Sequence, residues 1–153
     1  MLLTINITEK LYEELSPEEK VLIDAAKEAT YSSYAPYSNF NVGAALLLKD
    51  GTIVKGANQE NAAFGAGTCA ERSAIFGAQS NYPQLAVDAI AIAARNAEGF
   101  LTKPISPCGI CRQAIVELEQ RYKQKVRVMM YGEEIIYIVD SVKDLLPLCF
   151  EEF

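Results

Sequence analysis

Cys69-Ala70-Glu71 and Pro107-Cys108-Gly109-Ile110-Cys111 are the residues of this chain whose types and spacing can do chemistry. Three thiolates can hold a zinc ion and leave its fourth position for water, the ligand count of a catalytic site rather than a closed structural one. A carboxylate two residues after the first thiolate can then move protons for that water, as base and acid in turn. C-A-E followed by P-C-x-x-C fits hydrolytic removal of an amino group from a nucleobase, with Cys in the first ligand position. Each half alone has blander readings. A lone C-x-x-C is also a redox pair or half of a structural zinc site, and Glu71 alone is also a solvated helix residue. The remaining cysteine, Cys149, lies in the apolar stretch Leu148-Cys149-Phe150, where a buried inert thiol is the commoner outcome.

The chain has no histidine. Ser-His and Cys-His catalysis, HExxH proteases and every His-ligated metal site are therefore excluded. Zinc here must be held by Cys or carboxylates, and proton transfer falls to Asp, Glu, Lys, Tyr or Cys. Three thiolates on a dication leave a net charge of about −1, which weakens zinc as a Lewis acid. Something positive must offset it. Helix N-termini contribute, and Arg72, next to Glu71, is placed to hydrogen-bond the sulfurs.

Elements must bring the two halves together. Ser16-Pro17-Glu18-Glu19 reads as a helix start, with Ser16 as N-cap, Pro17 at the first position and Glu19 closing a capping box. Val21, Leu22, Ala25, Ala26 and Ala29 follow at helical spacing. The residues before Ser16 read as an irregular or short helical arm. Strands are expected over 40–48 and 52–57, joined by the Asp50-Gly51 turn. A helix follows over 69–79. Residues 86–94 are a nearly continuous apolar run, suited to a central strand covered on both faces. A second helix runs over 108–122 behind Pro107, with Ile115 and Leu118 inward. Strands over 126–131 and 135–139 flank Gly132-Glu133-Glu134, too short for a parallel crossover. A short helix over 141–146 ends at Pro147. The order predicts an α/β fold of three α/β/α layers around a five-stranded mixed sheet, one domain over 1–153, with residues 1–15 as an arm of no assigned role. Cys69 and Cys108 then both stand at helix starts, so two helix N-termini can meet at one metal.

Composition bounds the partners. Half of the 153 residues are hydrophobic and the net charge is −6, with no basic tract. Phosphate backbones are bound by lysine and arginine clusters, so a nucleic-acid substrate is disfavoured. No apolar run approaches the roughly 20 residues that span a bilayer, and the N-terminal stretch lacks the basic and apolar regions of a signal peptide. A cytoplasmic location is expected, where clustered cysteines point to metal or catalysis more than to disulfides.

Ordered blocks from Tyr34 to Phe150 carry a family resemblance. They are Pro36-Tyr37-Ser38-Asn39-Phe40-Asn41-Val42-Gly43-Ala44-Ala45-Leu46, Gly56-Ala57-Asn58-Gln59-Glu60-Asn61-Ala62, Cys69-Ala70-Glu71-Arg72, Ser106-Pro107-Cys108-Gly109-Ile110-Cys111-Arg112-Gln113 and Leu145-Leu146-Pro147. Together they resemble the small, homotetrameric, zinc-dependent cytidine deaminases. The resemblance implies one zinc per subunit on Cys69, Cys108 and Cys111, with Glu71 as catalytic proton shuttle. It implies Asn58 and Glu60 on the ribose 3′-hydroxyl and Phe40 against the pyrimidine. The Ala70 amide would face the 2-carbonyl and the Ser106 carbonyl the 4-amino group. Phe150 would stack on the base from a neighbouring subunit, and Gln113 would orient the second helix or the ligands. Gln59 departs from the β-branched residue commoner at its position. Without the resemblance, Phe40 reads as ordinary core, and Asn58 and Glu60 as a polar strand end.

The reaction so implied is deamination of cytidine and 2′-deoxycytidine to uridine and 2′-deoxyuridine, in pyrimidine salvage, on a free nucleoside and not on nucleic acid or at a membrane. The rivals are a deaminase of a modified cytosine nucleoside such as blasticidin S, and a non-catalytic zinc or redox module.

Overall fold

A computed structural model describes residues 1–151. Its sheet contains strands β1 (Thr8–Lys10), β2 (Asn41–Leu48), β3 (Ile53–Ala57), β4 (Val87–Asn96), β5 (Gly99–Phe100), β6 (Arg127–Tyr131) and β7 (Ile136–Val139). The spatial order is β1-β7-β6-β4-β2-β3, with β5 on the end of β4. Only β4 and β6 run parallel; the other pairs are antiparallel. The sheet is mixed, as expected, but it has seven strands and not five. The two added strands are three and two residues long. Neither has an apolar alternation of its own; each is recruited by an open edge or end of a longer strand.

Helices α1 (Pro17–Ala29), α2 (Ala70–Asn81) and α3 (Gly109–Tyr122) complete three layers. β4 shows why. Ala89, Ala91 and Ala93 pack on the α1 side with Leu22, Ile23 and Ala26, whereas Ile90, Ile92 and Ala94 pack on the α2/α3 side with Ile75, Ile115 and Val116. A continuous apolar run is therefore two interleaved faces with period two. Small residues face the single helix and larger ones face the helix pair. Each fully buried Ile of this set is worth about 1.5–3 kcal/mol relative to exposure.

Two glycines set how closely helices approach the sheet. A Cβ at Gly43 would lie 2.1 Å from the Ala26 carbonyl oxygen of α1, and one at Gly56 would lie 2.4 Å from the Ala74 amide nitrogen of α2. The second contact seats the opening turns of α2 directly on β3.

The capping box of α1 forms: Glu19 N donates to Ser16 Oγ at 3.2 Å and Ser16 N to Glu19 Oε2 at 2.9 Å. The inward face of α1 differs from the expected one. Leu22, Ile23, Ala26 and Ala29 are buried, Ala25 is only partly so, and Val21 is exposed. The arm before Ser16 is β1 followed by a 3-10 turn, Tyr12–Glu14, and the expected helix over 141–146 is a 3-10 turn, Val142–Asp144. The two hairpins stand where the turns put them: Gly51 has φ +91°, and β6 pairs antiparallel with β7. Among the described residues no helix is long and apolar enough to cross a membrane.

Candidate active site

Cys69 and Cys108 are the N-cap residues of α2 and α3, both extended (φ −73°, ψ 158°; φ −65°, ψ 166°), and Cys111 is in the first turn of α3. Serine or aspartate usually occupies an N-cap and turns its side chain back onto the helix amides. Here neither cysteine makes such a bond, which leaves the sulfurs for another partner. The cap carbonyls still accept the first helical bonds, from Ser73 N at 3.0 Å and Arg112 N at 2.9 Å.

The three sulfurs lie within 4.8 Å of one another, and Cys69 Sγ and Cys108 Sγ are 3.9 Å apart. Two thiolates sharing a tetrahedral zinc at about 2.3 Å stand roughly 3.8 Å apart, so the donor set fits zinc in type, number and spacing. The remaining cysteine, Cys149, packs against the α2/α3 core and is not in this group. Cys149 is partly exposed, where a buried thiol was expected.

Arg72 Nη2 donates to Cys69 Sγ at 3.5 Å, the contact its position next to Glu71 suggested. The Cys69 thiol is pulled down to about 5, first by its hydrogen bond with Cys111 and then by Arg72 and Cys108, against the cost of burial. Cys111 is pushed up by the same bond, by burial and by the Glu71 charge. Zinc, which needs thiolates, must displace the protons that remain.

Glu71, in the first turn of α2, is 4% exposed. Burial raises its carboxyl above the ordinary 4.5, and the Cys69 charge adds to the rise. An upward shift suits a group that must both take and return a proton near neutrality.

A cavity of about 640 Å³ opens over these residues. Cys69, Cys108, Glu71 and Arg72 line it together with Phe40, Asn58, Glu60, Ala70 and Ser106. Four strand, loop and helix segments separated in sequence thus converge on one space. Phe40 lies just before β2 and packs against the α2/α3 core. Asn58 follows β3 and pairs with its neighbour strand through its side chain: Val42 N donates to Asn58 Oδ1 at 2.8 Å, and Asn58 Nδ2 donates to the Phe40 carbonyl at 2.9 Å. Glu60 accepts from Tyr37 N at 2.9 Å, Ser38 N at 3.2 Å and Ser38 Oγ at 2.5 Å. These bonds, the Ser38 hydroxyl above all, hold its carboxyl below the ordinary 4.5 against the opposing effect of burial. Asn58 and Glu60 therefore brace the loop of residues 37–40 as well as facing the cavity.

Gln113 and Phe150 do not line that space. Gln113 is hydrogen-bonded to the Phe150 backbone, and its bonded partner is thus the C-terminal segment, where an orienting role on α3 or the ligands was expected. Sequence reasoning missed Tyr37 and Ser38 as the partners of Glu60, and Phe64, whose ring is 88% exposed at the cavity. The first two belong to a block that carried the resemblance; Phe64 gave no signal beyond an aromatic residue in a glycine-rich loop.

Comparisons with known proteins agree with this geometry. Residues 16–129 match the family described as cytidine and deoxycytidylate deaminase zinc-binding region. The chain is 46% identical over 101 residues to a cytidine deaminase of Halalkalibacterium halodurans, covering 66% of this chain and 72% of the relative. It is 49% identical over 96 residues to one of Sporosarcina psychrophila, covering 63% and 66%. The crystal structure of a cytidine deaminase from Burkholderia pseudomallei superposes with a TM-score of 0.73 at 38% identity, covering 89% of this chain and 100% of that one. A cytidine deaminase from Mycobacterium tuberculosis superposes with a TM-score of 0.66 at 30% identity, covering 86% and 96%. With a cysteine triad that fits zinc, a buried glutamate beside it and a family match reaching from α1 into β6, the chain belongs to the zinc-binding cytidine and deoxycytidylate deaminase family.

Proposed function

We propose that the protein hydrolyses cytidine and 2′-deoxycytidine to uridine and 2′-deoxyuridine with release of ammonia, as a zinc enzyme of pyrimidine salvage in the cytoplasm. The observation that carries the reading is the position of Glu71: a buried carboxylate on the wall of the cavity that Cys69 and Cys108 also line.

Cys69, Cys108 and Cys111 would hold the zinc, and the chemistry it would supply is a water of lowered pKa at neutral pH. Glu71 takes a proton from the attacking water and gives it to the ring nitrogen next to the amino-bearing carbon. As the water oxygen bonds to that carbon, the proton left on the added hydroxyl passes through Glu71 to the amino group, the C–N bond breaks, and water and cytidine leave as uridine and ammonia. Ala70 is the first residue of α2, where an amide has no partner within the helix; its N–H serves the 2-carbonyl. The Ser106 carbonyl accepts from the 4-amino group, and Phe40 packs against the ring. Asn58 and Glu60 meet the ribose 3′-hydroxyl, a contact that favours a nucleoside over the free base. The acidic chain favours a free nucleoside over a polynucleotide. Phe150 reaches the base from a second subunit of a homotetramer.

The test is ammonia release from cytidine, 2′-deoxycytidine, cytosine, blasticidin S and a cytosine-containing oligonucleotide. Turnover of the two nucleosides above the other three is expected. Silence on cytidine overturns the reading, and turnover of blasticidin S alone replaces it with the modified-nucleoside enzyme.

A further inference from the structure

The first turn of α3 carries more than metal ligands. Immediately after Cys111, two side chains bond to backbone more than thirty residues later in the chain. The Arg112 guanidinium donates through Nε to the Pro107 carbonyl at 2.8 Å and through Nη1 to the Leu145 carbonyl at 2.6 Å. Gln113 pairs twice with one residue: Nε2 donates to the Phe150 carbonyl at 2.7 Å, and Oε1 accepts from Phe150 N at 3.3 Å. A primary amide used this way stands in for the neighbouring strand of a ladder, because it satisfies the donor and the acceptor of a single residue. It fixes the Phe150 backbone in position and direction. Arg112 ties the same segment to the residue preceding Cys108.

Phe150 is 68% exposed and does not line the cavity of its own chain. A fixed backbone beneath an exposed ring outside the chain's own site suits presentation to another copy. We infer that Gln113 is a positioning residue for substrate binding: its amide holds the Phe150 backbone so that the ring enters the nucleoside site of a second copy. Arg112 makes the tail and the Cys108 turn move as one body. This inference rests on the cytidine reading above for its substrate, not for the strap itself.

Gln113→Ala is the test, read in three ways on the zinc-loaded enzyme. Chymotrypsin cleavage after Phe150 is expected to quicken several-fold. KM for cytidine is expected to rise about 3- to 10-fold, the worth of one aromatic stack, with kcat within twofold and zinc still at one per chain. Phe150→Ala should raise KM equally, and the double variant no further. A coexpressed mixture of Phe150→Ala and Glu71→Gln chains should regain sites of wild-type KM, because an intact tail then serves an intact site. Adding Gln113→Ala to the Glu71→Gln chain should abolish that recovery. Unchanged cleavage or unchanged KM overturns the inference, as does loss of zinc with an unmoved tail or additive effects in the double variant. If the wild type acts on no nucleoside, the cytidine reading falls, and the cleavage rate alone then decides whether Gln113 holds the tail.

Discussion

Glu71 must ionise to accept a proton, yet its burial resists ionisation. The Cys69 charge adds to that resistance and Arg72 opposes it, so the positive field of a zinc on the three sulfurs would be what lets Glu71 ionise. Glu71→Gln keeps the size and removes the exchangeable proton. Metal analysis should still find one zinc per chain, while turnover falls by about 10²–10⁴, the usual share of general acid–base catalysis. Arg72 acts at the same scale through a sulfur. Its hydrogen bond to Cys69 disperses negative charge from a ligand set that carries an excess of it. For Arg72→Ala, zinc affinity measured against a competing chelator should drop about 10- to 100-fold. Unchanged affinity together with unchanged turnover would remove Arg72 from the account.

Elements deliver those residues, and their contacts are close enough to test. The Cβ that Gly56→Ala would add lies 2.4 Å from the Ala74 nitrogen, so α2 must lift from β3. Unfolding free energy should fall by about 1–3 kcal/mol or more. Gly65→Ala is the control, because an added Cβ there meets nothing within 4 Å; equal effects of the two variants would refute the close-packing argument. Glu19 joins three elements. It closes the α1 capping box, accepts from Lys10 Nζ at 3.2 Å in β1 and from Arg127 Nη1 at 2.5 Å in β6. Burial opposes its charge, but the Ser16 amide, Lys10 and Arg127 outweigh that cost and hold its carboxyl below the ordinary 4.5. A depressed pKa in the folded state means stability that is full above about 4.5 and lost as pH falls below it. Relative to Glu19→Gln, the wild type should be about 1–3 kcal/mol more stable at pH 7 in urea titrations. The gap should narrow at pH 3; a constant gap would show that the charge is not what matters.

At the scale of the molecule, two apolar clusters, one on each face of the sheet, form without any of the three sulfurs of the triad; Cys111 is buried but belongs to neither cluster. Chelation should therefore abolish turnover while leaving far-UV circular dichroism intact and lowering the melting temperature only by the lost binding energy. Unfolding on chelation would make the zinc structural as well as catalytic. Size in solution should correspond to four chains; an active monomer would deny Phe150 its role across subunits.

Much of this was legible in the chain because it is local. The spacing of Cys69, Cys108 and Cys111 points to a metal-ligand set with Glu71 beside it as proton carrier, and the absence of histidine leaves few other donors. Ser16 to Glu19 marks a helix start, Asp50-Gly51 a turn, and residues 86–94 a strand buried on both faces, because each depends on neighbours a few positions away. What the sequence could not state depends on partners far along it. β1 is a strand only because β7 offers an open edge. Val21 faces out although its spacing pointed in, because α1 turns Leu22, Ile23 and Ala26 toward Gly43 and the alanines of β4. Gln113 gives no hint in its own neighbourhood that Phe150 is its partner 37 residues away. The residue types and their short-range order determined which chemistry the chain can do. The tertiary packing decided where that chemistry is aimed, because long-range contacts are set by edges, volumes and unsatisfied backbone groups that no short stretch of sequence contains.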